Sequence, residues 1–174
     1  SFKLGQIKPD FIIHAAAVVG GIQANIERPV DFLTQNLQID NAVLNGAHTC
    51  GVKNLIYIGS SCMYPLDFRQ PLLESDMLAA PLEPTNQGYA IAKISGSLLS
   101  EYMSSQYGVS YKTIIPSNLY GPGDNFDPIS SHLIGATLRK AHEAKQNAQD
   151  EIDVWGDGEA RREFTFIGDL TSWL

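Results

Sequence analysis

The sequence predicts an α/β fold in which helices flank a parallel sheet. Short apolar runs, typical of strands buried in a parallel sheet, alternate with longer segments that carry apolar residues at helical spacing. The links are short, and strand, helix and strand joined in this way indicate a right-handed parallel crossover. With 174 residues and 44% hydrophobic content, the chain is long enough for one domain with a real core.

The first elements follow from apolar runs and their breaks. Residues 1–9 are a polar lead-in, and residues 10–16 predict a strand buried on both faces. We interpret His14 in that strand as a buried, hydrogen-bonded core residue. Residues 29–49 predict a helix with one apolar stripe, and residues 54–60 predict the next strand.

The middle of the chain contains a long irregular segment and a long helix. Residues 64–84 are rich in proline and acidic side chains, and they predict a loop of functional or mobile character. Thr85 and Asn86 are N-cap types, and Gly108 is a helix stop, so we expect a helix between them. Residues 109–116 predict another strand.

The last third predicts shorter elements. Residues 118–125 indicate a turn-forming loop, and residues 129–145 predict a helix. Residues 151–155 and 162–167 predict two short strands, after which Asp169 could cap a final helix.

Composition excludes several classes of protein. The net charge is -7 and no basic stripe appears, so nucleic-acid binding is not expected. No apolar run approaches twenty residues and no signal-peptide pattern occurs, so we expect no membrane segment. Cys50 and Cys62 show neither metal spacing nor a disulfide framework, which predicts no metal site and favours a reducing, cytoplasmic setting.

Tyr89 and Lys93 lie four residues apart, which places both side chains on one face of a helix. An ammonium group one turn away favours the phenolate and lowers the pKa of a tyrosine. With a serine at a neighbouring strand end, such as Ser60, the trio could protonate a carbonyl oxygen while a hydride arrives at carbon. Many soluble helices carry this spacing without a function, so the flanking residues decide.

Those flanking residues are 59–65 (GSSCMYP), 82–86 (LEPTN) and 118–122 (NLYGP). They resemble the extended branch of the short-chain dehydrogenase/reductase superfamily, of the NAD-dependent epimerase/dehydratase type. The resemblance implies a doubly wound, Rossmann-like parallel sheet. Residues 1–119 would be the C-terminal part of that domain, residues 120–160 part of a smaller substrate lobe, and residues 161–174 a return segment.

The family's glycine-rich phosphate loop is missing from this sequence. No G-x-G-x-x-G turn follows a first strand here, and in the family that loop precedes the strand that begins here at Asp10. The resemblance therefore implies an internal fragment that lacks the first strands and the end of the substrate lobe.

The resemblance also implies an activity, namely NADPH-dependent 3,5-epimerisation and 4-keto reduction of a GDP-4-keto-6-deoxy sugar. Tyr89 would protonate the C4 oxygen, Lys93 would tune Tyr89 and hold the nicotinamide ribose, and Ser60 rather than Ser61 matches the catalytic serine. Cys62 and His132 match the acid/base pair that moves protons at C3 and C5, and thiol and imidazole both titrate near the working pH. Without the family context, Cys62 is a small buried filler and His132 a surface residue.

Binding residues follow from the same resemblance. The cofactor, NADPH with NAD as an alternative, would contact these residues: Ala15, Ala16, Ile58, Gly59, Ser60, Ser61, Tyr89, Lys93, Pro116, Ser117, Asn118, Leu119 and His132. The substrate would contact Trp155 near the guanine, Arg162 near the diphosphate, and Lys140. Lys140 stands where the family usually has arginine, so it keeps the charge but loses the bidentate fork.

Other functions on the same fold stay open. One is a nucleotide-sugar 4-epimerase or dehydratase, although Cys62 with His132 argues against a simple 4-epimerase. Another is a non-catalytic dinucleotide-binding protein, against which the intact Ser60, Tyr89 and Lys93 argue. The resemblance further implies a homodimer.

Overall fold

A computed structural model describes residues 2–128, 130–154 and 156–174. The chain divides into two compact units, one extending to Pro116 and the other spanning Ser117–Leu174. The predicted domain boundaries after residues 119 and 160 stay predictions. Among the described residues, none of the helices combines the length and the apolar character that a membrane span requires.

The first unit is a three-stranded parallel sheet packed against two long helices. Its strands lie in the order β1–β2–β3, with His14 opposite Tyr57 and Ile58 opposite Ile114. The α/β fold class with a parallel sheet is therefore confirmed. The elements are α1 Phe2–Ile7, β1 Phe11–His14, α2 Ile22–Glu27, α3 Pro29–Thr49, β2 Asn54–Ile58, α4 Gln87–Tyr107 and β3 Ser110–Ile114.

The core lies between the sheet and helices α3 and α4. Leu44 and Ala47 of α3 and Met103 of α4 pack with Leu55 and Tyr57 of β2 in one buried cluster. Helix α4 ends as predicted, because Gly108 adopts the left-handed conformation, with a φ of 66°, that terminates helices. The long helices thus fix β2 and its carboxyl end in place.

Strand β1 is buried on one face only, so the prediction of burial on both faces is wrong. Phe11 and Ile13 are 44% and 48% exposed, whereas His14 is buried. Successive side chains of a strand point to opposite faces, and α3 and α4 cover only the face that carries Leu55 and Tyr57. The interpretation of His14 as a hydrogen-bonded core residue is confirmed, since it bonds Asp40.

The lead-in of the first unit differs from its sequence prediction, because it forms α1. Helix α2, which follows β1, was not predicted. The proline-rich segment is irregular as predicted, with short 3₁₀ turns at Ser61–Met63, Glu74–Asp76 and Pro84–Asn86 around it.

The second unit contains a two-stranded parallel sheet and two helices. Strand β4 pairs with β5, and Asn118 lies opposite Phe164. The predicted loop at 118–125 therefore begins as a strand. The elements are β4 Asn118–Tyr120, α5 Leu133–Gln146, β5 Phe164–Phe166 and α6 Ile167–Trp173.

The remaining corrections in this unit have local causes. Helix α5 begins at Leu133 rather than at residue 129, because the Asp127 carboxylate accepts hydrogen bonds from the backbone and hydroxyl of Ser130 in a turn. The described residues 151–154 form no strand, and the Asp153 carbonyl accepts instead from the Lys140 ammonium at 2.7 Å. Asp169 lies inside the first turn of α6, after Phe166 at the cap position.

Candidate active site

Ser60 and Cys62 lie together at the carboxyl end of β2. The Gly59 N–H donates to the Ile114 carbonyl at 2.8 Å, and the chain then turns through Ser61–Met63. This turn brings the Cys62 thiol within 3.3 Å of the Ser60 hydroxyl, to which it donates. Both side chains therefore lie at the end of the strands beyond which ligands of open α/β sheets bind.

Helix α4 brings Tyr89 and Lys93 to the same strand end. The Lys93 ammonium donates to the Ile58 carbonyl at 2.8 Å and lies 4.6 Å from the centroid of the Tyr57 ring. Tyr89 is half-buried and its phenol is hydrogen-bonded by the Ser60 hydroxyl. The predicted grouping of Ser60, Tyr89 and Lys93 is therefore present in the structure, with Cys62 beside it.

The pKa of Tyr89 is raised well above its ordinary value. Burial is the main cause, with Cys62 and Asp40 adding to it, and the Ser60 hydrogen bond acts in the opposite direction. The expectation that Lys93 lowers this pKa is not met, because loss of hydration outweighs other effects. Burial also lowers the pKa of Lys93, while Asp40 and Cys62 oppose that change. The phenol is therefore protonated at neutral pH.

Cys62 is likewise protonated at neutral pH. Burial raises the pKa of its thiol, and the Ser60 hydrogen bond and Lys93 only partly oppose this. The expectation that this cysteine titrates near the working pH is therefore wrong for the structure described. Its resting state is a proton-carrying thiol.

Alkylation provides a direct test of the state of Cys62. We expect its reaction with iodoacetamide to be half-maximal at a pH above about 8.5, the usual value for a free thiol. Mass spectrometry of the Cys62 peptide over a pH series measures this rate, with the chain unfolded in guanidinium as the reference. Identical pH profiles for the folded and unfolded chains would contradict the effect of burial.

The expected cofactor contacts of the first unit lie around the ends of the strands. Ala15 and Ala16 are exposed just after β1, and Pro116 is half-buried after β3. Ile58, Gly59 and Ser61 follow one another at the end of β2. The roles of these residues in cofactor binding stay predictions.

Asn36 is a residue that the sequence analysis missed. Its buried side-chain amide accepts from the Val18 N–H at 2.8 Å and donates to the Val18 carbonyl at 3.0 Å. A third hydrogen bond is donated to the Phe32 carbonyl at 2.7 Å. Asn36 thereby anchors the loop that carries Ala15 and Ala16. The available signal was its position four residues after Phe32, on the buried face of α3.

The other predicted site residues belong to the second unit, and their roles stay predictions. Ser117 pairs its hydroxyl with Thr165 at 2.7 Å, and Asn118 donates to the Glu163 carbonyl at 3.0 Å. Leu119 lies in β4 and His132 is exposed at the start of α5.

The three predicted substrate contacts differ in what surrounds them. Lys140 borders a polar depression of about 400 Å³ together with Arg139 and Asp153. Arg162 is exposed, and its guanidinium donates to the Arg161 carbonyl at 2.7 Å. Trp155 lies outside the described residues.

Comparison with known proteins decides the family. The sequence profile of the NAD dependent epimerase/dehydratase family matches residues 2–174. The chain belongs to this family. The match confirms the resemblance inferred from the motifs and the Rossmann-like fold.

Within the NAD dependent epimerase/dehydratase family, the chain is similar to enzymes of GDP-sugar metabolism. It is 49% identical over 164 residues to GDP-L-fucose synthase of Escherichia coli K12, covering 94% of this chain and 51% of that protein. It is 47% identical over 168 residues to GDP-L-colitose synthase of Yersinia pseudotuberculosis, covering 96% and 54%. The chain thus spans about half the length of the curated relatives it matches.

A solved structure agrees with this placement. The GDP-L-fucose synthetase of Naegleria fowleri, bound to NADP, superposes with a TM-score of 0.87 at 30% identity. The match covers 98% of this chain and 56% of that one.

Proposed function

We propose that this chain carries the catalytic residues of an NADPH-dependent enzyme that converts GDP-4-keto-6-deoxy-mannose to GDP-L-fucose. The observation that carries the proposal is the grouping of Ser60, Cys62, Tyr89 and Lys93 at the carboxyl end of β2. The similarity to GDP-L-fucose synthases supports the choice of substrate.

Reduction needs a proton at oxygen and a hydride at carbon. NADPH supplies the hydride to C4 when it is bound. The Tyr89 phenol, which holds its proton at neutral pH, donates that proton to the C4 oxygen, and solvent restores it afterwards. Ser60 hydrogen-bonds the same oxygen. Lys93 stabilises the phenolate that forms when Tyr89 has donated its proton.

Epimerisation needs proton exchange at C3 and C5, the two carbons that flank the C4 ketone. The C4 carbonyl acidifies the C3 and C5 protons, because their removal gives an enolate. Cys62 and His132 are the proposed acid/base pair. The protonated state of Cys62 suits the step that returns a proton to carbon.

The binding assignments extend to both units of the chain. The nicotinamide half of the cofactor would contact residues of both units: Ala15, Ala16, Ile58, Gly59, Ser61, Pro116, Ser117, Asn118, Leu119 and His132. Lys140 and Arg162 would neutralise the diphosphate of the GDP sugar, and Trp155 would stack on guanine. We also propose a cytoplasmic location, because Cys50 and Cys62 show no disulfide framework.

The substrate assignment is tested by product analysis. The full-length enzyme is incubated with NADPH and GDP-4-keto-6-deoxy-mannose, and the product is identified by NMR after chromatography. We expect stoichiometric NADPH oxidation and GDP-L-fucose. A UDP-4-keto-6-deoxy sugar serves as the control and should react slowly. A preference for the UDP sugar would contradict the proposal.

A second product is supported by the similarity to GDP-L-colitose synthase. This relative is about as similar to the chain as the fucose synthases are, so identity alone does not separate the two products. Adding the corresponding GDP-4-keto-3,6-dideoxy sugar to the same assay compares the two substrates directly. We expect kcat/KM to be higher for GDP-4-keto-6-deoxy-mannose.

We further propose a homodimer formed through the outer surface of α3 and α4. Leu37, Ile91 and Tyr102 are 36%, 41% and 59% exposed there, beside a groove of about 350 Å³ between the helices. A second copy of the chain would cover this apolar stripe by packing helices into a bundle.

Sedimentation of the full-length enzyme tests this arrangement. We expect the double variant Leu37→Glu/Ile91→Glu to sediment as a monomer, because it places charges in the interface. Leu66→Glu, at an exposed apolar residue in the irregular segment, is the control and should leave the dimer intact. A wild-type monomer at micromolar concentration would contradict the proposal.

A further inference from the structure

A buried chain of polar groups lies beneath Lys93. The Tyr57 ring faces the Lys93 ammonium at 4.6 Å, and the Tyr57 hydroxyl donates to Asp40 Oδ2 at 2.7 Å. The other oxygen of Asp40 accepts from His14 Nε2–H at 2.9 Å. All four side chains are at most 3% exposed, so the chain of groups has almost no contact with water.

Four different elements build this network. His14 comes from β1, Asp40 from α3, Tyr57 from β2 and Lys93 from α4. Helix α4 can approach because residue 96 is glycine, since an added Cβ would lie 2.5 Å from the Tyr57 hydroxyl and 2.8 Å from Asp40 Oδ2. Gly96 thus lets α4 pack closely against the hydrogen-bonded pair Tyr57 and Asp40.

A buried carboxylate needs an opposite charge or strong hydrogen bonds, because removing it from water costs on the order of several kcal/mol. The titratable groups near Lys93 are Asp40 from α3, Tyr57 from β2 and Cys62 from the turn after β2. Tyr89 lies one turn before Lys93 on α4. Burial raises the pKa of Tyr57, Cys62 and Tyr89, so these three are neutral at pH 7. Asp40 is therefore the acidic group available to balance the ammonium.

We propose that Asp40, held in place by His14 and Tyr57, is a positioning residue that keeps Lys93 protonated and fixed against the Ile58 carbonyl. The role rests on the function proposed above, in which Lys93 acts on Tyr89. Asp40 is not proposed to touch substrate or cofactor. It acts on Lys93 through its negative charge and through the Tyr57 ring, which it holds in place.

Removing the charge of Asp40 is expected to lower the pKa values of both Lys93 and Tyr89. Asp40 opposes the lowering of the Lys93 pKa by burial, so its loss lowers that pKa further. Asp40 also contributes to raising the pKa of Tyr89, so its loss lowers this pKa too. Both changes move the alkaline limb of the pH–rate profile to lower pH.

The test is the pH profile of ketone reduction by the full-length Asp40→Asn enzyme. Asparagine keeps the shape of the site, since its carbonyl can accept from Tyr57 and its amide can donate to His14 in the other tautomer. We expect the alkaline limb of kcat/KM to move down by about one pH unit, the low end of the effect of a nearby charge. An unchanged limb in a folded Asp40→Asn enzyme would overturn the proposal.

Two matched variants control for the loss of a buried polar group. Asp76→Asn removes another buried acid, which pairs with Arg69 at 2.6 Å, and Tyr111→Phe removes another buried hydroxyl, which donates to the Val52 carbonyl at 2.9 Å. Both should lower thermal stability and leave the alkaline limb unchanged. A similar shift in either control would reduce Asp40 to a structural role and overturn the proposal.

A second measurement does not depend on enzymatic activity. NMR of wild-type enzyme labelled with ε-¹³C lysine, with Lys93 assigned through Lys93→Arg, follows the protonation of Lys93 directly. We expect Lys93 to remain an ammonium at pH 8, and a neutral Lys93 there would overturn the proposal. An enzyme that retains this titration but does not reduce the keto sugar would contradict the proposed function alone.

Discussion

Replacing Tyr89 with phenylalanine is expected to abolish ketone reduction while cofactor affinity stays nearly unchanged. The phenol is hydrogen-bonded to the Ser60 hydroxyl and keeps its proton at neutral pH, so it can donate that proton to a C4 oxygen. Loss of a general acid costs on the order of 100- to 10,000-fold in rate. The phenylalanine ring fills the same space on α4, so packing should be preserved.

Stopped-flow oxidation of NADPH by the full-length enzyme measures this effect. Tyr107→Phe is the matched control, because it removes a phenol hydroxyl from the last residue of the same helix and keeps the ring that stacks on His48. We expect the control to reduce at the wild-type rate. A change below threefold in Tyr89→Phe would remove Tyr89 from the proton-donating role.

Replacing Cys62 with serine is expected to separate the two half-reactions. A hydroxyl is a far weaker acid than a thiol, so proton exchange at carbon should fall sharply, by on the order of 100-fold or more. The reduction trio Ser60, Tyr89 and Lys93 is left in place, and the Cys62 thiol only donates to Ser60. The variant should therefore reduce the ketone before epimerisation and release a sugar of the wrong configuration.

Incubation of the Cys62→Ser enzyme with the keto sugar in deuterated water reveals the outcome by NMR. Cys50→Ser, which changes the other cysteine of the chain, is the control and should yield the normal product. Wild-type levels of deuterium at both C3 and C5 would show that Cys62 is a small residue packed at the strand end, with no part in proton transfer.

Local patterns account for the parts of the site that could be predicted. The four-residue spacing on α4 places Tyr89 and Lys93 on one face, and the strand that ends before Gly59 places Ser60 and Cys62. These features need only the helix period and the parallel crossover. They were therefore readable from the residues and the family motifs.

The parts that were missed depend on contacts between distant residues. Asp40 meets His14 and Tyr57 across separations of 26 and 17 residues, which no local pattern reveals. The directions of the pKa changes at Tyr89 and Cys62 follow from burial, which only the packed structure determines. The predicted strand at 151–155 likewise did not form over its described part, where Lys140 binds the Asp153 carbonyl.

The most direct test of the proposed function follows deuterium from the cofactor and from the solvent into the product. The full-length enzyme is given GDP-4-keto-6-deoxy-mannose and NADPH that carries deuterium at its transferable position, with a parallel reaction in deuterated water and unlabelled NADPH. We expect GDP-L-fucose with cofactor deuterium at C4 in the first reaction and solvent deuterium at C3 and C5 in the second. A product without cofactor deuterium at C4, or without solvent deuterium at C3 and C5, would contradict the proposed function.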